Sequence, residues 1–175
     1  VDMIAAFNAV NRIDDFAFTP EQSISHGITT FVAQNRGAGR KERIRKGFRR
    51  GLMLEACYWV FICITITLFR RPLMGLFVTA GNEGIVALGS SYLGMMALFY
   101  VFPAFTNGIQ GFFRGMGKMS VTLLGTFVQT SLRVVFVYLL TPGIGLPGVA
   151  YACAIGWSVM LLVEVPYYFW FMKDK

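Results

Sequence analysis

Apolar residues gather into four long runs, each close to the length of a helix that crosses a lipid bilayer. The hydrocarbon core of a bilayer is about 30 Å thick, which takes about 20 helical residues. We therefore predict spanning helices at residues 52–69, 92–113, 121–141 and 149–172. The second run holds no charged residue, and the last two are each interrupted by a single one, Arg133 or Glu164.

A fifth, weaker segment covers residues 3–34 and has an amphipathic pattern. On a helical wheel its polar residues form one continuous stripe at steps of three and four, and Asp14 and Glu21 lie beside that stripe. In hydrocarbon such a stripe has to face other helices or a water-filled cavity. Arg12 and Asp15 have the spacing of a helical ion pair. The stripe consists of Asn8, Arg12, Asp15, Thr19, Gln22, His26 and Thr30.

Two more helix faces carry polar residues. Asn107, Gln110 and Arg114 share one face of the span 92–113, and Gln129 and Arg133 share one face of the next. Arg133 and Glu164 fit either a binding site or a structural hydrogen-bond network, and Glu55, early in its span, is expected near the headgroups. The candidates for binding a proton or sodium ion, or for lining a cavity, are Arg12, Asp14, Asp15, Glu21, Gln22, His26, Asn107, Gln110, Gln129, Arg133 and Glu164.

Short links rich in glycine and proline separate the spans, at residues 36–50, 79–84, 115–118 and 142–148. Residues 36–40 (RGAGR) and 114–118 (RGMGK) repeat one pattern. Glycine takes the left-handed conformation that ends a helix, and cations suit the negative helix end. We therefore predict two equivalent turns with a role in conformational change, built on Gly37, Gly39, Arg114, Gly115 and Gly117.

Composition makes a soluble domain untenable. Only 14% of the 175 residues are charged and 55% are apolar, whereas soluble domains have about 25% charged residues. The predicted fold is an all-α integral membrane bundle of five spans in one domain, residues 1–175.

The net charge of +7 is unevenly placed. Twelve of the 16 lysines and arginines fall on one side, including Lys173 and Lys175, against Arg70 and Arg71 opposite. The positive-inside rule then predicts a multi-pass plasma-membrane protein with a cytoplasmic C-terminus.

Motifs of enzymes and of metal sites are absent from the sequence. It has no nucleophile elbow, HExxH, phosphate loop or GxGxxG pattern. Cys57, Cys63 and Cys153 lack the spacing of zinc ligands. We expect neither enzymatic activity nor a cofactor or metal. We also expect no nucleic-acid binding, because the basic link is short and no folded reader accompanies it.

Several segments resemble the multidrug and toxic compound extrusion (MATE) family: AAF at 5–7, TFVAQNRGAG at 30–39, QGFFRGMGK at 110–118, GLPGV at 145–149 and IGW at 155–157. Members have twelve helices in two six-helix lobes. The resemblance implies that the five spans are helices eight to twelve, so that the N-terminal lobe of the same chain lies upstream. Independently, five spans with a cytoplasmic C-terminus place residue 1 outside, which also predicts an odd number of upstream spans.

The resemblance implies an antiporter that exports cationic or amphipathic compounds in exchange for sodium ions or protons, its lobes rocking between two states in the bilayer. Some branches use a cation-binding acid in helix ten. The matching span 92–113 has no acid, and Asn107 and Gln110 are its strongest polar groups, so the coupling ion stays open. Two alternatives remain: a flippase for lipid-linked saccharides, with Arg12 and Arg133 forming a cationic cavity, and a membrane scaffold that does not transport.

Overall fold

The computed structural model describes residues 2–78 and 82–173, and the regular structure in these ranges is α-helical. Residues 79–81 of the predicted link 79–84, and Lys175 of the basic tail, lie outside them. The helices are α1 (Asp2–Gly37), α2 (Lys41–Phe77), α3 (Glu83–Phe99), α4 (Val101–Gly115), α5 (Met119–Ile144) and α6 (Leu146–Lys173).

The predicted span 92–113 is bent and corresponds to two helices. The axes of α3 and α4 differ by 43° across Tyr100. Pro103 explains the position of the break, because its ring replaces the N–H that would bond to the carbonyl of residue 99 and crowds that carbonyl. The bent pair is longer than predicted, since α3 begins at Glu83.

The number of spans differs from the five predicted. By length and composition α2, α5 and α6 can each cross a membrane, and the bent α3–α4 pair qualifies as a fourth span. Helix α1 is long enough at 36 residues, but its many polar residues leave it outside this set. A membrane crossing by α1 therefore stays a prediction.

The bundle buries two separate apolar cores. The first core joins the N-terminal half of α1 to α3, the C-terminal half of α2 and the start of α6, and includes Val10, Ile13, Ile66, Leu93 and Tyr100. The second core joins the C-terminal half of α1 to α2, α4 and α6, and includes Ile28, Val32, Phe48, Phe112 and Phe113. Aromatic rings fill the second core: the ring centroid of Phe112 lies 4.8 Å from that of Phe48 and 5.0 Å from that of Tyr168.

Buried polar residues lie between the two cores. In α1, α2 and α6 they come in the stretch of chain between buried residues of the first core and buried residues of the second, and in α4 they come beside Ile109 of the second core. We call this set the polar layer: Glu21, Ser25, Glu55, Asn107, Gln110 and Glu164. Asn107 is partly buried and the others are buried. Polar groups in the middle of a membrane bundle are costly unless they are paired, so this layer is the first place to look for function.

Glycines allow α4 to pack directly on α1. A Cβ atom on Gly111 would lie 2.6 Å from the carbonyl oxygen of Ser25, and one on Gly115 would lie 2.7 Å from that of Thr29. Small residues four apart permit such backbone contact between membrane helices. This close packing holds the polar side chains of α4 against those of α1.

The two RGxG segments form turns with the same hydrogen bonds. Gly39 N–H donates to the Arg36 carbonyl and Arg40 N–H to the Asn35 carbonyl, and Gly117 and Lys118 repeat both bonds one-for-one in the second turn. The φ angles of Gly39 and Gly117 are +66° and +69°, as a Schellman motif requires. The turns are neighbours, since a Cβ on Gly117 would meet the Arg36 guanidinium at 2.5 Å.

Candidate functional site

A cavity of about 860 Å³ opens between the N-terminal half of α1 and helices α3, α5 and α6. One wall carries the polar side chains Asn11, Asp14 and Asp15 of α1, and α5 contributes Arg133 from another side. Much of the rest is aromatic: Phe7, Phe18, Tyr92, Tyr138 and Trp157. An apolar, aromatic cleft with a few charged groups is typical of small-molecule sites.

Asp14 and Asp15 are neighbours in sequence but differ in environment. Asp14 is 7% exposed and its carboxylate accepts a hydrogen bond from the Tyr100 hydroxyl. Asp15 is exposed. Successive residues on a helix point about 100° apart, so α1 presents one fixed and one free carboxylate to the same cavity.

Arg133 supplies the positive charge of the cavity wall. Its side chain lies near the thiol of Cys153 on α6 and the hydroxyl of Tyr92 on α3. The cavity therefore contains both signs of charge, with two carboxylates and one guanidinium among the charged groups of its lining.

Helix α4 is the hub of the polar layer. The Asn107 amide donates to Glu21 Oε1 at 2.6 Å, and the Gln110 amide donates to Glu164 Oε1 at 3.3 Å. One turn further, an Arg114 N–H donates to Ser25 Oγ at 2.8 Å. The polar face of α4 that the sequence predicts therefore forms hydrogen bonds with both α1 and α6.

Glu164 lies between α6, α4 and α5. Its side chain is fully buried, and Oε2 has no hydrogen-bond partner among the described residues. Gly125 of α5 leaves room for it, because a Cβ there would lie 2.8 Å from Glu164 Oε1. Gln129 is also buried, and its backbone carbonyl packs against Gly156 of α6.

The polar stripe of α1 lies outside both the cavity wall and the polar layer, apart from Asp15. Arg12, Gln22 and His26 are exposed, and the opposite face of α1 is the one that packs in the bundle. In the part of the chain that the structure describes, no ion pair joins Arg12 to Asp15. The stripe is thus available to surroundings beyond these six helices.

Ser25 and Glu55 are the residues of the polar layer that the sequence-based candidates leave out. Glu55 is the acid of the two. A span starting at residue 52 would place it near the headgroups, but α2 begins at Lys41, about 21 Å earlier along the helix axis. Its side chain is 0% exposed. The spacing of Ile44, Phe48 and Glu55 was the available signal, because steps of four and seven keep all three on one helix face.

Comparison with known proteins identifies this arrangement. A family model described as MatE matches residues 1–139. A probable multidrug resistance protein NorM of Thermotoga maritima is 30% identical over 118 residues, which is 67% of this chain and 25% of that protein. An FAD transporter of Shewanella oneidensis is 23% identical over 124 residues, 69% of this chain and 27% of that protein. The chain thus spans about a quarter of the length of these relatives.

Solved structures show the same fold. A multidrug resistance MATE family transporter of the MOP superfamily in an outward-facing conformation superposes with a TM-score of 0.91 at 20% identity, covering 99% of this chain and 39% of that one. A MOP superfamily transporter from Pyrococcus furiosus gives 0.84 at 24% identity, covering 94% and 36%. Together with the family model, which matches most of the sequence, these findings show that the chain belongs to the MatE family, that of the multidrug and toxic compound extrusion transporters.

Proposed function

We propose that the full-length protein is a secondary active antiporter that exports cationic or amphipathic compounds in exchange for protons or sodium ions. The cavity between α1, α3, α5 and α6 carries this proposal. Its two carboxylates attract a cation and its aromatic rings bind a flat apolar body, partly through cation–π contacts. The name of the Thermotoga relative, a probable multidrug resistance protein, agrees with it. We assign the protein no enzymatic role.

The surroundings follow from the same proposal. We infer a multi-pass protein of the plasma membrane with its C-terminus in the cytoplasm, because Arg36, Lys41 and Arg45 line one small cavity together with Met172 near the end of α6. The lipid bilayer covers the apolar outer faces of α2 and α5. The exposed stripe of α1 lines a water-filled passage against another lobe of the transporter.

The flippase alternative has one observation in its favour. Arg133 lines the cavity and one relative is named an FAD transporter, so an anionic amphiphile is the second candidate substrate. Arg12, the other cation expected in such a cavity, is not part of its lining, whereas two carboxylates are. The balance of charge therefore favours a cationic substrate.

Dye efflux tests the proposal. We expect cells that lack their own efflux pumps to accumulate less of a fluorescent aromatic cation when they express the full-length protein. Asp15→Asn should abolish most of that difference, since the exposed carboxylate meets the substrate. Glu83→Gln, an exposed acid at the start of α3 that is absent from the cavity lining, is the matched control. Accumulation unchanged by the wild-type protein would reject the cationic substrate, and export of a flavin nucleotide or lipid-linked saccharide instead would favour the alternative.

A further inference from the structure

Glu55 is a buried acid with nothing in the described chain to balance it. It is 0% exposed, and both carboxyl oxygens are out of contact with solvent and accept no hydrogen bond from the described residues. An ionised carboxylate in such a place costs several kcal/mol, and proteins avoid that cost by pairing or neutralising the group. No described residue therefore offsets a charge on Glu55, and binding a proton would neutralise it.

An ionisable neighbour makes the environment of Glu55 more negative. Glu21 of α1 lies close enough for its charge to act on Glu55, and it is itself buried at 3% exposure. Two tyrosines lie in the same field: Tyr58 of α2, whose hydroxyl donates to the Ala17 carbonyl at 2.8 Å, is near both glutamates, and Tyr100 is near Glu21. From α4 the pair meets the Asn107 amide and Gly108. No described cation forms an ion pair with either glutamate.

The other groups around Glu21 and Glu55 favour a proton over a metal ion as the bound cation. A Cβ on Gly108 would meet Leu52 Cδ2, Glu55 Cγ and Ile28 Cδ1, so this side is hydrocarbon. Asn107 presents its N–H to Glu21, and its backbone carbonyl already accepts from the Ser25 hydroxyl at 2.5 Å. Hard cations are held by shells of oxygen ligands, and beyond the two carboxyl groups the described lining leaves few oxygens. A proton needs only one carboxyl oxygen.

We propose that Glu21 and Glu55 form a buried proton-binding carboxyl pair in the polar layer, at the junction of α1, α2 and α4. At least one of the two carboxyl groups carries a proton taken from water, and returns it to water when the site opens. The pair is separate from the cavity that holds Asp14 and Asp15, to whose lining neither glutamate belongs. A role for the pair in coupling rests on the antiport function proposed above, whereas protonation itself does not.

Infrared difference spectroscopy on the purified full-length protein in lipid nanodiscs tests the pair, by comparing acidic with alkaline buffer without sodium. The wild type should show the carbonyl band of protonated carboxyl groups. Glu55→Gln and Glu21→Gln should each lose part of that band. Glu42→Gln is the control on the same helix: Glu42 is exposed and ion-paired with Lys46 at 3.8 Å, so the band should be unchanged.

Two results would overturn the proposal: a spectrum of Glu55→Gln that superimposes on the wild type, or radioactive sodium bound by the wild type and lost in Glu55→Gln. Size-exclusion chromatography establishes that each variant is folded. If Glu55→Gln does not fold, the wild type is labelled with dicyclohexylcarbodiimide, which attacks protonated carboxyl groups in apolar surroundings. Modification of Glu55 would support the proposal, and an unmodified Glu55 would overturn it. These measurements need no transport substrate, so a negative efflux assay would not contradict protonation of the Glu21–Glu55 pair. Normal efflux by the wild type, together with a Glu55→Gln spectrum like that of the wild type, would reject the proton-binding pair and leave the proposed transport function intact.

Discussion

Single side chains, or their absence, determine how closely the helices of this bundle approach one another. At Gly111 the obstacle to any larger residue is the backbone carbonyl of Ser25, which has no rotamer by which to move away. At Gly75 of α2 the space is open, with nothing within 4 Å of a Cβ atom. Alanine substitutions at these two glycines therefore measure the effect of packing and the effect of helix propensity separately.

Gly111→Ala should lower stability by about 1–3 kcal/mol, the usual cost of overpacking. Gly75→Ala should leave stability unchanged or raise it, because alanine favours a helix over glycine. The midpoint of thermal unfolding in detergent measures both. Equal midpoints for the two variants would show that α4 does not pack on α1 as described.

The Tyr100 hydroxyl holds the buried carboxylate of Asp14. Tyr100→Phe keeps the ring and its edge contact with Phe18, whose centroid is 4.9 Å away, but leaves Asp14 without that donor. We expect a loss of about 1–3 kcal/mol in the free energy of unfolding, the cost of an unsatisfied buried polar group. Tyr138→Phe is the control, because Tyr138 is exposed. A Tyr100→Phe variant as stable as the Tyr138→Phe variant would argue against the hydrogen bond.

At the scale of elements, each RGxG turn contains one glycine that the backbone conformation requires and one that it does not require. Gly37 ends α1 with helical geometry, whereas Gly39 has a positive φ, and neither has an atom within 4 Å of a Cβ. Left-handed backbone costs a residue with a side chain about 1–2 kcal/mol. Gly39→Ala should therefore be destabilising by that amount and Gly37→Ala should not, as chemical denaturation would show. Equal losses would point to a role other than turn geometry.

How much of this could be predicted from the sequence differs between elements. The helical wheel of α1 correctly separated the polar stripe from the face that packs in the bundle, which holds Val10, Ile13 and Ala17, because a period of 3.6 residues is a strong signal over a long segment. The break at Tyr100 was visible only as Pro103, since sequence shows where a helix can bend but not by how much. Asp14 and Glu21 were among the candidates for ion binding or for lining a cavity. Their partners Tyr100 and Asn107 were not foreseeable, because they lie 86 residues away in each case.

At the scale of the whole molecule, charge is concentrated at one end. The turns at residues 36–40 and 114–118 and the end of α6 meet there, whereas α3 starts at the other end, where α2 finishes. If the basic end is cytoplasmic, as the positive-inside rule requires, a charged reagent added to intact cells reaches only the opposite end.

Cysteine labelling tests this orientation. In a full-length protein whose own cysteines are replaced (Cys57, Cys63 and Cys153), we expect Asn82→Cys to react with a membrane-impermeant maleimide in intact cells. Ala38→Cys should react only after permeabilisation. Both positions are exposed, so accessibility within the protein is matched. The reverse pattern would place the basic end outside.

Reconstituted transport tests the central claim most directly. Purified full-length protein in liposomes, with a proton gradient imposed in the absence of sodium, should move an aromatic cation against its concentration gradient. The movement should stop when an ionophore collapses the proton gradient, and the Asp15→Asn protein should not support it. Movement driven only by sodium would contradict proton coupling through Glu21 and Glu55. If neither gradient moves any cationic or amphipathic compound, the antiport account is wrong.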